Sequence, residues 1–300
     1  PGESLPRWAL SCFWRSDGVA LWRDSRWLAD DEAIQGFGTE QAQAFAMELT
    51  QRLGLSAQYV IPSYEDVYYY LWKEHTLPAN VDPLKFDLKD AEERRRLALL
   101  LERGLNEVTG YVLPLRWGQT VDGGHWLSGQ WTLRREHLYL VPGDSPMGYR
   151  LPLAALPWVK ETAREIPCPQ SLFECRAALG DAHGAAMNRY DNFLQGEEKR
   201  NSDRQSSLAA DSKAGVVFSP DDPSDQKGQE QPADDAETPV IHTALCVEPR
   251  EGHLYVFMPP VGELEHYLDL LACVEQTAAH LKMPVLVEGY APPPLSLIHI

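Results

Sequence analysis

Eight side chains carry most of the chemistry this sequence offers: Glu65, Asp66, Asp144, Ser145, Arg150, Glu248, Arg250 and Glu288. Glu248 and Glu288 each close an apolar run, 241–247 and 284–287. If those runs are neighbouring strands, both carboxylates project at one edge of a sheet. A carboxylate pair suits a hard cation such as Mg²⁺, which takes oxygen ligands and keeps water or phosphate oxygens in its other positions. Solvated acids at strand ends are the plainer reading of the same pattern. Arg150 and Arg250 carry planar forks of N–H donors that match phosphate or carboxylate oxygens. The adjacent Glu65 and Asp66 suit a metal or an amine, and equally the first turn of a helix, where acids offset the dipole.

Asp144, Ser145 and Arg150 belong to the stretch 138–158, around which the chain is organised. A short apolar strand, 138–141, runs into Pro142-Gly143-Asp144-Ser145-Pro146-Met147-Gly148 and leaves through Tyr149-Arg150. Two glycines and two prolines in seven residues fix the backbone path. Asp144 and Ser145 bond readily to nearby backbone. Such a bend either cradles an anion with its N–H groups and one cation, or serves only as a rigid turn.

The elements that must hold these residues follow from periodicity. A hairpin is expected over 5–15 and 19–22, with Ser16-Asp17-Gly18 as its turn. Thr39 is the expected N-cap of a helix through Leu53, with Ala42, Phe45, Ala46 and Leu49 at helical spacing. A second helix is expected from Ser63, which forms a capping box with Asp66. A third is capped by Asp90. Strands follow at 111–115, at 126–133 with 137–141 as a hairpin, at 241–247 and at 253–258, with 117–124 a loop. A helix over 263–281 and a strand at 284–289 complete the pattern. The expected class is α+β: a mainly antiparallel sheet with helices packed on one face.

Composition excludes several classes. The net charge of −17 argues against nucleic acid and anionic membranes as partners. No run reaches the length of a membrane span, and no signal peptide is visible. The five cysteines form no C-x-x-C pair, which favours a reducing, cytoplasmic setting. No phosphate-binding, dinucleotide, zinc-protease or nucleophile-elbow motif occurs. A cysteine nucleophile would need a thiol at a helix start beside a histidine. Residues 161–240 read as a low-complexity acidic insert or linker, largely disordered from about 195. The apolar end, 295–300, reads as foreign to the natural chain.

Several strings together resemble one family. They are Gly2-Glu3-Ser4-Leu5-Pro6-Arg7-Trp8-Ala9-Leu10, residues 64–74 (YEDVYYYLWKE), residues 77–83 (LPANVDP), the stretch 138–158, and residues 243–250 (TALCVEPR) with 254–260 (LYVFMPP). The combination is similar to the bacterial putative amidoligase domain, which follows a transglutaminase-like domain in a larger protein. The resemblance makes 1–160 and 241–294 two parts of one such domain. It implies a glutamine-synthetase-like fold and ATP-dependent carboxylate–amine ligation through an acyl phosphate, with carboxylate and amine substrates. It also implies Mg²⁺ held by Glu248 and Glu288. Arg150, Arg250 and the Asp144-Ser145 bend would then contact phosphate or substrate carboxylate, and Glu65 and Asp66 the attacking amine. Two segments of the family pattern, Gly-Gly-Glu-Pro-like upstream and Gly-rich with histidine downstream, do not occur here, so this piece alone is expected to be inactive. The alternative is a non-catalytic peptide- or glycan-binding module serving the transglutaminase-like enzyme.

Overall fold

The computed structural model describes residues 14–15, 17–30, 32–75, 106–120, 123–133, 136–157, 178–211 and 240–293. In chain order these form α1 (Thr39–Arg52), β1 (Ile61–Tyr64), α2 (Val67–His75), β2 (Val108–Pro114), β3 (Arg116–Thr120), β4 (Gly123–Leu127), β5 (Leu138–Tyr139), α3 (Ala182–Asp211), β6 (Ala244–Arg250), β7 (His253–Met258), α4 (Leu264–Leu281) and β8 (Val285–Gly289). The fold is α+β. A six-stranded sheet runs β5-β1-β2-β6-β7-β8, and β3 and β4 pair separately.

The sheet is mixed. The three inner joins are antiparallel, and the outer two, β1 with β5 and β7 with β8, are parallel. The departure from a mainly antiparallel sheet has a simple cause. Strands β7 and β8 are linked through the 18-residue α4, and a helical crossover returns the chain in the same direction. The join between β2 and β6 unites residues more than a hundred positions apart, with Tyr111 opposite Val247 and Leu113 opposite Leu245.

Alternation along the strands gives the sheet two different faces. Tyr111, Leu113, Leu245, Val247, Leu254, Val256 and Val285 pack against α1 and α4, through Phe45, Leu49, Leu270 and Val274 among others. Each fully buried side chain of this size stabilises the fold by about 1.5–3 kcal/mol. Helices α1, α3 and α4 thus lie on one face. The other face carries a smaller apolar cluster of Val112, Ala244, Cys246 and Phe257, covered by Trp131, Leu140, Met147 and Leu156 from the 131–156 segment.

Local chemistry moved several boundaries. Gly38, not Thr39, caps α1, its N–H donating to the Gln41 side chain. Ser63 lies inside β1 and donates to the Gly110 carbonyl at 2.9 Å, so it caps nothing. Residues 117–124 are not a loop but most of the β3–β4 hairpin. There Trp117 meets Trp126 edge to face, and Trp126 donates to Asp269 at 2.7 Å. That pairing takes Trp126 away from the hairpin expected with 137–141, and β5 pairs with β1 instead. No strand forms at 19–22, where the backbone of Arg23 and Asp24 is held by the Glu275 carboxylate. Helix α3 runs through 195–211, a stretch whose composition reads as unstructured. The expected first strand up to residue 13, the helix capped by Asp90, most of 212–240 and the tail 295–300 lie outside the described residues.

Candidate functional site

The face opposite the helices gathers the charged residues. Glu248 and Arg250 of β6, Tyr255 and Phe257 of β7, and Glu288 of β8 all share it by strand parity. Strands β6 and β8 are separated by β7, so Glu248 and Glu288 are not on neighbouring strands. They sit diagonally across β7, Glu248 opposite Tyr255 and Glu288 opposite Phe257, over the sheet rather than at its edge.

Arg250 lies between them. Its Nη2 is 2.5 Å from Glu288 Oε2, and its Nε is 3.5 Å from Glu248 Oε2. Its guanidinium stacks 3.6 Å over the Tyr255 ring. Neither Nε nor Nη2 forms an aligned hydrogen bond, and Glu288 Oε1 is buried without a hydrogen-bond partner. A tight hairpin turn positions Arg250. Glu251 and Gly252 both adopt positive φ, 50° and 82°, which matches the twist of the two strands they join.

The bend at 142–150 reaches this face through its backbone. The Met147 N–H donates to Glu248 Oε2 at 3.1 Å. Met147 itself is buried beside Gly110, where an added Cβ would stand 2.9 Å from its sulfur. Arg150 closes the bend. Its Nε donates to the Val141 carbonyl at 2.9 Å, and Val141 N–H donates back to the Arg150 carbonyl at 2.7 Å. Its guanidinium makes a two-pronged buried ion pair with Glu65, 3.1 Å at one prong. Asp144 and Ser145 are exposed at the tip of the bend.

Glu65 and Asp66 therefore have different partners. Asp66 accepts from the N–H groups of Tyr68 and Tyr69 at 3.1 and 3.3 Å, the geometry of an N-cap for α2. Glu65 faces Arg150. The structure brings together Glu248, Arg250 and Glu288, links them through Met147 to Arg150 and Glu65, and leaves Asp66 in a capping role.

Electrostatics distinguish Glu248. Burial pushes its carboxyl pKa up, against the opposing pull of Arg250, the Met147 N–H and Arg150, while Glu288 adds to the rise. A buried carboxyl with a raised affinity for its proton, in contact with cations, is suited to proton transfer. As arranged, the pair does not fit Mg²⁺ between the two acids, because the Arg250 guanidinium holds the position that such a cation would take. Among the described residues no group of three His, Cys, Asp or Glu could hold a metal ion.

Other chemistries lose ground. Cys246 and Cys273 are buried, and burial raises both thiols, that of Cys273 to about 12, which removes the thiolate a nucleophile needs. Trp126 and Trp131 are buried, whereas Trp14 and Trp72 are exposed. Among the described residues no helix is long and apolar enough to cross a membrane.

Sequence reasoning missed Met147, whose backbone contributes rather than its side chain, and the aromatic residues Tyr149, Phe257 and Tyr290 beside Glu288. The repeated Gly-Tyr pairs 148–149 and 289–290 were the available signal. An added Cβ at Gly148 would stand 2.1 Å from the Phe257 ring, and one at Gly289 2.6 Å from the Met258 carbonyl. Each glycine lets the backbone approach closely and so delivers a tyrosine to Phe257.

Comparison with known proteins gives one match. The model of a family described as putative amidoligase enzyme (DUF2126) matches residues 1–299. No curated protein and no solved structure matches the chain.

Proposed function

The chain belongs to the putative amidoligase enzyme family, and from that premise we propose that its charged sheet face serves a carboxylate–amine ligase, with Glu248 as the base that frees the amine. Family membership is what points to ATP as co-substrate. ATP supplies the phosphoryl group that turns the carboxylate into an acyl phosphate. The amine must then attack as a free base, and an ammonium ion has no lone pair to give. Glu248 takes one ammonium proton, the nitrogen bonds to the acyl carbon, the bond from that carbon to the phosphate oxygen breaks, and the second N–H proton leaves with the released phosphate. Met147 N–H holds Glu248 Oε2 in place during this transfer. Arg250, on the same face, neutralises the acyl phosphate and the departing phosphate with its unaligned N–H groups. No step is routed through a metal held by Glu248 and Glu288.

The observation that carries this reading is the raised, buried carboxyl of Glu248 in contact with Arg250. The test is phosphate release from ATP by the full-length protein. Release should require both a carboxylate and an amine, and Glu248→Gln should lower it by about 10²–10⁴-fold, the usual worth of a positioned base. Unchanged turnover in that variant removes Glu248 from the reaction. A glutamine-synthetase-like fold and a neighbouring transglutaminase-like domain are part of the proposal, supported by the family resemblance alone.

A further inference from the structure

We propose that Tyr149, Tyr290 and Phe257, together with Glu288, form the recognition site for the amine partner, an alkylammonium ion whose stem lies on the tyrosine rings. The inference rests on the ligase reading and adds the chemical class of the amine.

Three rings meet, two of the pairs at nearly right angles and Tyr149–Tyr290 tilted at 56°. Tyr149 and Phe257 are 4.8 Å apart at 85°, Phe257 and Tyr290 6.0 Å apart at 90°, and Tyr149 and Tyr290 5.8 Å apart. Phe257 is buried, but Tyr149 and Tyr290 remain 56% and 43% exposed. They are two large rings held side by side at the surface by close glycine contacts, and packing alone does not require that exposure. Glu288 lies near the end of β8, and Tyr290 follows just past the strand, after Gly289 at φ 103°. The Tyr149 hydroxyl, whose pKa burial raises, is raised further by Tyr290 and Glu288, which places all three in one electrostatic environment.

Charge and quadrupole act in the same direction here. The negative face of an aromatic ring attracts cations, and a carboxylate beside it strengthens the attraction. Among the described residues of this face, the carboxylates Glu248 and Glu288 stand against the Arg250 guanidinium, since Arg150 is matched by Glu65. One oxygen of Glu288 pairs with Arg250, and the other has no hydrogen-bond partner. Arg250 shows how the face treats an organic cation: it is laid flat on Tyr255 and drawn to both acids. An alkylammonium repeats that arrangement one step along the sheet, with the tyrosines taking its apolar stem.

The test is titration of the 300-residue chain with n-butylammonium chloride in the absence of nucleotide, followed by tyrosine ring signals in NMR. Butanol and butyrate serve as controls of equal carbon count. Saturable binding of the ammonium, tighter than butanol and with no binding of butyrate, is expected. Tyr149→Leu and Tyr290→Leu should each weaken it about two- to fivefold, while Tyr290→Phe, which keeps the ring face, should not. Equal binding of butanol, or no effect of either leucine variant, overturns the site. Failure here and failure of the ligase reading are separable. Tyrosine-dependent ammonium binding without amine-dependent phosphate release refutes the ligase reading and leaves the site. Amine-dependent release that Tyr290→Leu leaves unchanged refutes the site and leaves the ligase reading.

Discussion

Replacing Arg150 with methionine should be among the most damaging single changes on the charged face. The guanidinium is buried with its partner, the side chains retaining 8% and 7% of their exposure. It satisfies both oxygens of Glu65 and the Val141 carbonyl at once. Removing it strands a buried carboxylate, and breaking such a pair costs about 3–5 kcal/mol. That is a large share of a typical folding stability of about 5–15 kcal/mol. The double variant Glu65→Leu/Arg150→Met removes both charges and refills the volume with apolar atoms. It should recover most of the loss, because the desolvation of both ions is relieved together. Urea unfolding of the wild type, both single variants and the double variant gives the coupling directly, expected to be at least about 2 kcal/mol. If Arg150→Met does not fold, Arg150→Lys keeps the charge and loses the two-pronged contact, and its loss should be about 1–2 kcal/mol. Amide exchange at Met147 supplies a second readout, since the bend that Arg150 closes also presents that N–H to Glu248. A coupling near zero, with Met147 protection unchanged, would refute the claim that this pair holds the bend in place.

Three further outcomes follow from the same contacts. Because the folded Glu248 carboxyl binds its proton more tightly than its ordinary value of 4.5, ionising it works against folding, so its contribution to stability falls as pH rises above that value. Glu248→Gln should therefore raise the melting temperature at pH 7, with the gain shrinking as pH falls towards 4.5; a gain that grows in acid would reverse the sign. Cys246 and Cys273 should take up iodoacetamide at pH 8 only after unfolding, read by mass spectrometry, and labelling of either thiol in the native protein would contradict their burial. Gly110→Ala should cost about 1–3 kcal/mol in urea unfolding, as overpacking does. Its Cβ would stand 2.6 Å from the Val247 carbonyl, which the β2–β6 pairing fixes; no loss would mean the two strands are less closely joined than described.

What the sequence disclosed and what it hid divide along a physical line. Helices α1 and α4 were legible because each has a one-sided apolar pattern that fits a single period, as Phe45 and Leu49 do in α1, and β6 and β7 because each is a short apolar run buried on both faces. The hairpin at β3 and β4 was not legible, because Gly118, Gly123 and Gly124 read as loop residues. An added Cβ at Gly124 would stand 2.5 Å from the Trp117 ring, so that glycine serves the cross-strand packing of a tryptophan. Ser63 and Asp66 read as a capping pair, but Ser63 had a stronger use inside a strand, bonded to Gly110. The acids at 248 and 288 were found from their position at strand ends. Their relation to each other was not, because strand order is a long-range property, and β7 lies between them.

The placement of the charges explains why one face of this sheet is given to packing and the other to chemistry. On the helix face, burial of Leu and Val side chains supplies stability and tolerates no uncompensated charge. Asp269 there is tied to both Trp126 and Arg189. On the other face, among the described residues, the 131–156 segment packs on an apolar cluster that includes Cys246 and Phe257. Beyond that cluster the strands continue with Glu248, Arg250 and Glu288, which are paired but poorly aligned. A region built only for stability would align those donors or replace them with apolar residues, since an unaligned buried pair contributes little. Keeping Glu248, Arg250 and Glu288 buried with incomplete hydrogen bonds costs stability, and a ligand that completes them would recover it. The same face that Met147 and Arg150 hold rigid is thus the one whose charges are left incomplete. The ligase proposed above would use this combination, with Glu248 as the fixed base and Arg250 turning from its carboxylates to the phosphate and carboxylate oxygens of a substrate.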